Sequence, residues 1–271
     1  MCKECGCGLS GDVNIGGQAQ ERGHDHDHDH GHGHHPGHEH DHHHVAQQGA
    51  GRQTVTLQRS LLEKNDRLAE QNRGFFRAKK LLVLNMVSSP GSGKTTFIRE
   101  TAAKLAGHLR VGVIVGDLAT DNDAARLRTA GIPVVQITTG TICHLDADMI
   151  SKASVQMGLD ELDVLVIENV GNLVCPADYD LGEDLRVVLL SVTEGEDKPL
   201  KYPPMFHSAD VAVITKIDLA AAAGFDRDLA LANLKRVSHH ARIFELSSKT
   251  GEGMKAWLDF IVEQHAAVKR K

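Results

Sequence analysis

Ser88-Ser89-Pro90-Gly91-Ser92-Gly93-Lys94-Thr95-Thr96 is the stretch that decides the fold. It follows an apolar run at residues 81–87 and leads into a helix-like pattern at 94–107. Strand, glycine-rich turn and helix together make a phosphate-binding loop. The glycines let backbone N–H groups turn toward phosphate oxygens, and the start of the helix adds its dipole. Gly91, Ser92 and Gly93 are the expected cradle, with Lys94 reaching the β- and γ-phosphates. The Thr95 hydroxyl is the expected Mg²⁺ ligand, and Thr96 completes the pocket. Ser88 stands where such a loop usually has its first glycine.

Outward from the loop, short apolar runs alternate with helical patterns. Strands are expected at 81–87, 111–116, 133–137, 163–168, 185–192, 210–215 and 243–246, and helices at 94–107, 121–130 and 145–158. This alternation predicts an α/β P-loop NTPase fold, a mostly parallel sheet with helices on both faces. Ligands then collect beyond the carboxyl ends of the strands. The chain divides into a flexible metal-binding tail at 1–50, a helical lead-in at 51–79 and a nucleotide-binding domain at 80–271. The tail has almost no large apolar residues and includes a Gly- and polar-rich stretch at 10–23. In the lead-in, Leu57, Leu61 and Leu68 share one face, and Ser60 with Glu63 has the spacing of a capping box. Trp257, Leu258, Ile261 and Val262 form the apolar face of a C-terminal helix.

The net charge of −6 argues against a general nucleic-acid binder, and the 4% aromatic content leaves no stacking platform for bases. No apolar run is long enough for a membrane span, and no apolar signal region opens the chain, so the expected location is the cytoplasm. There, three of the five cysteines falling within the first seven residues point to metal ligands rather than disulfides.

Residues 163–168 end in a carboxylate, Glu168, followed by Asn169-Val170-Gly171. A second metal-side acid and a loop sensing the γ-phosphate are expected there. Asp117, at the end of the 111–116 run, is a further candidate for the Mg²⁺ shell or for positioning the attacking water. Base choice is expected at Thr215-Lys216-Ile217-Asp218. The Asp218 carboxylate suits guanine N1–H and the 2-amino group, which adenine lacks, and the Lys216 stem suits the base face. The usual guanine motif has Asn where this chain has Thr215. Ser247, Ser248 and Lys249 follow the last strand and are expected to turn backbone N–H groups toward guanine O6.

Cys2, Cys5 and Cys7 make a Cys-x-x-Cys-Gly-Cys hook able to fold three thiolates around one ion. Twelve of the 18 histidines lie between His24 and His44, interleaved with acids. Such a tract suits nickel, zinc or copper and favours capacity over one defined geometry. Its irregular spacing argues against an expression tag. Cys143, His144 and Cys175 offer three ligands with an open fourth position, which favours exchange. The plainer reading of that group is a buried cysteine beside a helix-capping histidine. His207, His239 and His240 are expected at the surface.

Together these motifs resemble the hydrogenase nickel-incorporation GTPases of the HypB family. The resemblance rests on the cysteine hook, the histidine tract, the phosphate loop, Cys143-His144, Glu168-Asn169-Val170-Gly171-Asn172-Leu173-Val174-Cys175-Pro176, the segment 191–203 and Thr215-Lys216-Ile217-Asp218. It implies a GTPase that binds GTP, Mg²⁺ and Ni²⁺ and delivers nickel to nickel–iron hydrogenase. The implied partners are the metallochaperone HypA and the hydrogenase large subunit. It also implies a tight nickel site at Cys2, Cys5 and Cys7, and a weaker nickel or Zn²⁺ site at Cys143, His144 and Cys175 near a GTP-favoured homodimer interface. The alternatives are a nickel or zinc store and a urease-type accessory GTPase resembling UreG.

Overall fold

The computed structural model describes residues 14–15 and 48–270. In chain order the elements are β1 (Asn14–Ile15), α1 (Gln48–Ala78), β2 (Leu82–Ser88), α2 (Lys94–Leu105), β3 (Val111–Asp117), α3 (Asn122–Thr129), β4 (Val134–Thr138), α4 (Ala147–Met157), β5 (Val164–Gly171), β6 (Leu185–Ser191), α5 (Lys198–Lys201), α6 (Pro203–His207), β7 (Val211–Thr215), α7 (Ala220–Ala223), α8 (Arg227–Val237), β8 (Arg242–Leu246) and α9 (Met254–Arg270). The strands form one sheet in the order β1-β4-β3-β5-β2-β6-β7-β8. Its pairings are parallel except for β1, which lies antiparallel to β4. The expected α/β architecture is therefore present.

The central strands are buried on both faces, which is why their sequences run almost continuously apolar. Alternate residues feed two layers. Leu82, Leu84, Met86, Val166 and Leu189 pack under α2 and α9, whose Phe97, Ile98, Trp257 and Phe260 fill that side. On the opposite face, Val83, Ile114, Leu165 and Ile167 meet Phe76 of α1 and Ile150 of α4. Further along that face, Val87, Val188 and Leu190 meet Met205 and Phe206 of α6 and Leu234 of α8. Trp257 also donates its indole N–H to Thr101 Oγ1 at 3.0 Å, satisfying its one polar atom.

Three expectations about the N-terminal part need correction. The helix starts at Gln48 and passes unbroken through Ser60 and Glu63, so no capping box forms there; Glu63 pairs with Arg59 instead. Leu61 is 54% exposed, and the buried face carries Asn65, Ala69, Asn72 and Phe76. This face is chosen by hydrogen bonds as much as by apolar contact. Asn72 donates to Ala147 O at 2.8 Å and Leu181 O at 3.1 Å. Asn65 donates to Asp180 O at 2.8 Å and accepts from Ala147 N at 2.9 Å. Gly182, at φ +89, lies so close to the helix that a Cβ there would fall 2.6 Å from Ala69 O. Helix α1 thus packs closely on the segments at 147 and 180–182. Finally, Asn14–Ile15, inside the stretch expected to be flexible, pairs with Ile137 and Thr138 at the sheet edge. Cys2, Cys5, Cys7 and the tract from His24 to His44 lie outside the described residues.

Candidate functional site

The carboxyl ends of β2, β3, β5, β7 and β8 gather the expected nucleotide residues. Between β2 and α2 the chain turns through Gly91 at φ +75 and Gly93 at φ +94, left-handed backbone that suits glycine. Ser88, in the position of the missing glycine, is fully buried. Ser92 Oγ donates to Ser88 Oγ at 2.6 Å, and Ser88 Oγ donates on to Ser89 O at 2.9 Å. Here a serine ties the loop across its base, where a glycine would leave it looser.

Lys94, Thr95 and Glu168 meet in the expected way. Thr95 Oγ1 donates to Glu168 Oε1 at 2.6 Å, and Lys94 Nζ lies 3.8 Å from the same oxygen. Glu168 is 2% exposed, and its Oε2 is buried without a hydrogen-bond partner. Burial pushes its pKa above the ordinary range, against the pull of Lys94 and Thr95. A buried carboxylate oxygen with no donor, beside a threonine hydroxyl, is a hard-oxygen set suited to a divalent cation such as Mg²⁺. Asp117 is half-buried at the end of β3. Its Oδ1 accepts from the backbone N–H groups of Ala119 at 2.9 Å and Thr120 at 2.8 Å, capping the turn after β3.

Asn169 and Val170, expected in a loop, extend β5 as buried residues, and the strand ends at Gly171. Gly171 is in register with Ser88, and a Cβ there would sit 3.0 Å from Pro90 Cγ. The phosphate loop therefore rests directly on the start of the segment that leads to Cys175.

At the base side, Lys216 adopts left-handed backbone at φ 60. Its Nζ donates to Gly91 O at 2.6 Å, and its stem passes over Gly93. Thr215 is buried and donates from Oγ1 to Ser92 O at 2.9 Å, so a hydroxyl links β7 to the phosphate loop where the common motif uses an amide. Asp218 is exposed on the turn Ile217–Leu219. The segment expected to reach guanine O6, residues 247–249, directly follows β8. Ser247 is fully buried, and its Oγ accepts from Lys249 N and Thr250 N, each at 3.2 Å. The Lys249 N–H thus braces the loop, and Ser248 is half-buried beside it.

Cys143 and Cys175 are brought together, with Sγ atoms 2.7 Å apart. His144 does not join them. Among the described residues no three His, Cys, Asp or Glu side chains are grouped to hold a metal ion. The His144 ring stacks on Tyr179 with centroids 3.8 Å apart, and its Nδ1 is buried without a partner. Burial lowers its pKa, against Asp146 and Asp178. The ring is thus packed on Tyr179 and is not grouped with the two sulfurs here.

Residues 82–245 match the family described as CobW/HypB/UreG, nucleotide-binding domain. The chain is 51% identical over 214 residues to hydrogenase maturation factor HypB of Azotobacter chroococcum, covering 79% of this chain and 70% of that one. It is 50% identical over 216 residues to HypB of Escherichia coli K12, covering 80% and 74%. The chain belongs to the HypB family. Its fold is similar to that of HypB from Helicobacter pylori in complex with nickel, with a TM-score of 0.72 and 42% identity over 75% of this chain and 96% of that one. HypB from Archaeoglobus fulgidus is similar at a TM-score of 0.71 and 41% identity, over 75% and 99%.

In this HypB-family chain two further residues reach the phosphate loop that sequence reasoning did not single out. Lys198 donates to Ser89 Oγ at 3.3 Å. Glu194 sits beside them, and burial raises its pKa against the nearby Lys198 and Lys216 charges. The signal available was a charged run, Glu194 to Lys198, directly after the buried strand β6. Nothing local marks which of those charges turns inward.

Proposed function

We propose that this chain is a GTP-hydrolysing nickel metallochaperone acting in the maturation of nickel–iron hydrogenase. The observation that carries the proposal is the continuity between its two sites. Gly171 backs onto Pro90 of the phosphate loop, and Asn172, the next residue, donates from Nδ2 to Cys143 O at 3.2 Å. Cys175 follows within the same segment. A change at the γ-phosphate therefore has a short, packed route to the sulfur pair.

In this reading Gly91, Ser92, Gly93, Lys94, Thr95 and Thr96 bind the phosphates. Lys216, Asp218 and the Ser247–Lys249 loop serve the guanine. Thr95 and Glu168 would hold Mg²⁺, which supplies charge neutralisation at the β- and γ-oxygens. Asp117 braces the β3 turn near the attacking water. Because its Oδ1 is already engaged by its own turn, slow hydrolysis is expected in the absence of a partner. Nickel is the cargo, received at Cys2, Cys5 and Cys7 and handled at Cys143, His144 and Cys175, with zinc as the competitor ion. HypA, the hydrogenase large subunit and a GTP-favoured second copy of the chain are the proposed partners. The names of the relatives and the nickel complex of the Helicobacter pylori protein support this reading.

A second reading, service to urease, is favoured by one observation: a relative 41% identical over 214 residues, from Helicobacter pylori, is named hydrogenase/urease maturation factor. Nickel titrations with GDP and with a non-hydrolysable GTP analogue test the main proposal. Different affinities in the two states are expected. Equal affinities, or normal hydrogenase maturation in vivo by Lys94→Ala and Asp218→Asn variants, would remove it.

A further inference from the structure

A polar seam crosses the otherwise apolar face of the sheet opposite Glu168. Asn85, in the middle of β2, is fully buried. It donates from Nδ2 to Glu183 Oε1 at 3.0 Å and accepts at Oδ1 from Asn169 Nδ2 at 3.2 Å. Glu183 Oε1 also takes Arg186 Nε at 3.1 Å and Nη2 at 3.0 Å. Arg186, 8% exposed, then donates to Ala177 O at 3.1 Å, Tyr179 O at 2.7 Å and Ser208 Oγ at 3.0 Å. A leucine at position 85 would pack there without needing partners. A buried polar network of this kind constrains geometry more than it adds stability.

The two ends of the seam are informative. One end is Asn169, the residue after Glu168. The other is the pair of carbonyls at Ala177 and Tyr179, in and just after the turn Cys175–Asp178. Arg186 thus fixes the Cys175 turn to β6 and α6. Cys143 is tied differently: its carbonyl is held by Asn172, whose Oδ1 also accepts from Val174 N at 2.9 Å. The Arg186–Glu183 link is charge-assisted and doubled, whereas Asn85–Asn169 is a single neutral bond, so the seam parts there first.

Building on the nucleotide–metal coupling proposed above, we propose that Arg186 and Asn172 are positioning residues that divide the work at the sulfur pair. Arg186 holds the Cys175 turn still. Asn172 carries the Cys143 loop with the segment after Glu168. A change at the γ-phosphate then alters the separation of the two sulfurs, and with it the grip on a soft or borderline divalent cation.

The test uses the full chain, saturated with GDP or with a non-hydrolysable GTP analogue and titrated with Ni²⁺. Alkylation of Cys143 and Cys175 is followed by peptide mass spectrometry, which separates them from Cys2, Cys5 and Cys7. In the parent chain the protection midpoints are expected to differ about fivefold or more between the nucleotide states. In Asn172→Ala and in Arg186→Gln the ratio is expected to collapse to near one, with GDP affinity unchanged. If Arg186→Gln does not fold, Asn172→Ala decides alone. A retained ratio in folded Asn172→Ala overturns this proposal and leaves the coupling standing; a ratio of one in the parent chain overturns both.

Discussion

At the scale of single residues, the site departs from the usual phosphate-loop pattern at Ser88 and Thr215. In both places a buried hydroxyl supplies a bond that braces the loop, to Ser89 O from Ser88 and to Ser92 O from Thr215. Glu168 stands apart because one of its oxygens is buried without a donor. Holding a carboxylate that way is unfavourable in isolation, and a bound divalent cation removes the deficit. Glu168→Gln is therefore expected to keep nucleotide binding while lowering Mg²⁺-dependent GTP turnover by about a hundredfold, the scale of losing one group that stabilises transition-state charge. Single-turnover assays with and without Mg²⁺ check this, and turnover within threefold of the parent's, as a rough bound, would show that Glu168 is not at the metal.

At the scale of elements, α1 shows how a helix with a weak apolar stripe can still be integral. Its buried face carries Asn65 and Asn72, and their side chains satisfy backbone groups of the segments at 147 and 180–181. The glycine at 182 allows the close approach. Asn72→Ala would leave two buried carbonyls without this donor, at an expected cost of about 2–3 kcal/mol. Urea unfolding measures it. A cost below about 0.5 kcal/mol, the scatter of ordinary surface substitutions, would mean that α1 is only loosely attached. A hydrophobic-periodicity reading chose Leu61 and Leu68 instead because it scores apolar side chains and cannot see which amides meet backbone groups far along the chain.

At the scale of the whole molecule, burial lowers the pKa of two histidines. His265 is on the buried face of α9, its Nε2 3.4 Å from Asp163 Oδ1. Burial and then the Lys269 charge hold its pKa below the ordinary 6.5, against Asp163. His144 is lowered in the same direction by burial. A base with a depressed folded pKa is more protonated in the unfolded chain. Its contribution is complete above the unfolded value of 6.5 and declines as the pH falls from there. The raised carboxyls of Glu168 and Glu194 act in the opposite sense, so a variant is the diagnostic. Between about pH 7.5 and about pH 5.5, His265→Gln is expected to lose less stability than the parent chain in denaturant unfolding. An equal loss in both would clear His265 of any part in the acid sensitivity.

The phosphate loop, the strand–helix alternation and the carboxylate on β5 were all legible in the sequence, because each depends on residues within one turn or strand of each other. Backbone sterics, periodic burial and phosphate chemistry act at that range. The tertiary structure alone decided the side chains that act across long separations. It set the Asn clamps of α1, the Asn85–Glu183–Arg186 seam, the inward turn of Lys198 and Glu194, and the stacking of His144 on Tyr179. Those outcomes depend on which segments the sheet order β4-β3-β5-β2-β6-β7 makes neighbours. No local pattern encodes that, since a buried polar group is defined by partners the chain supplies only once it has folded.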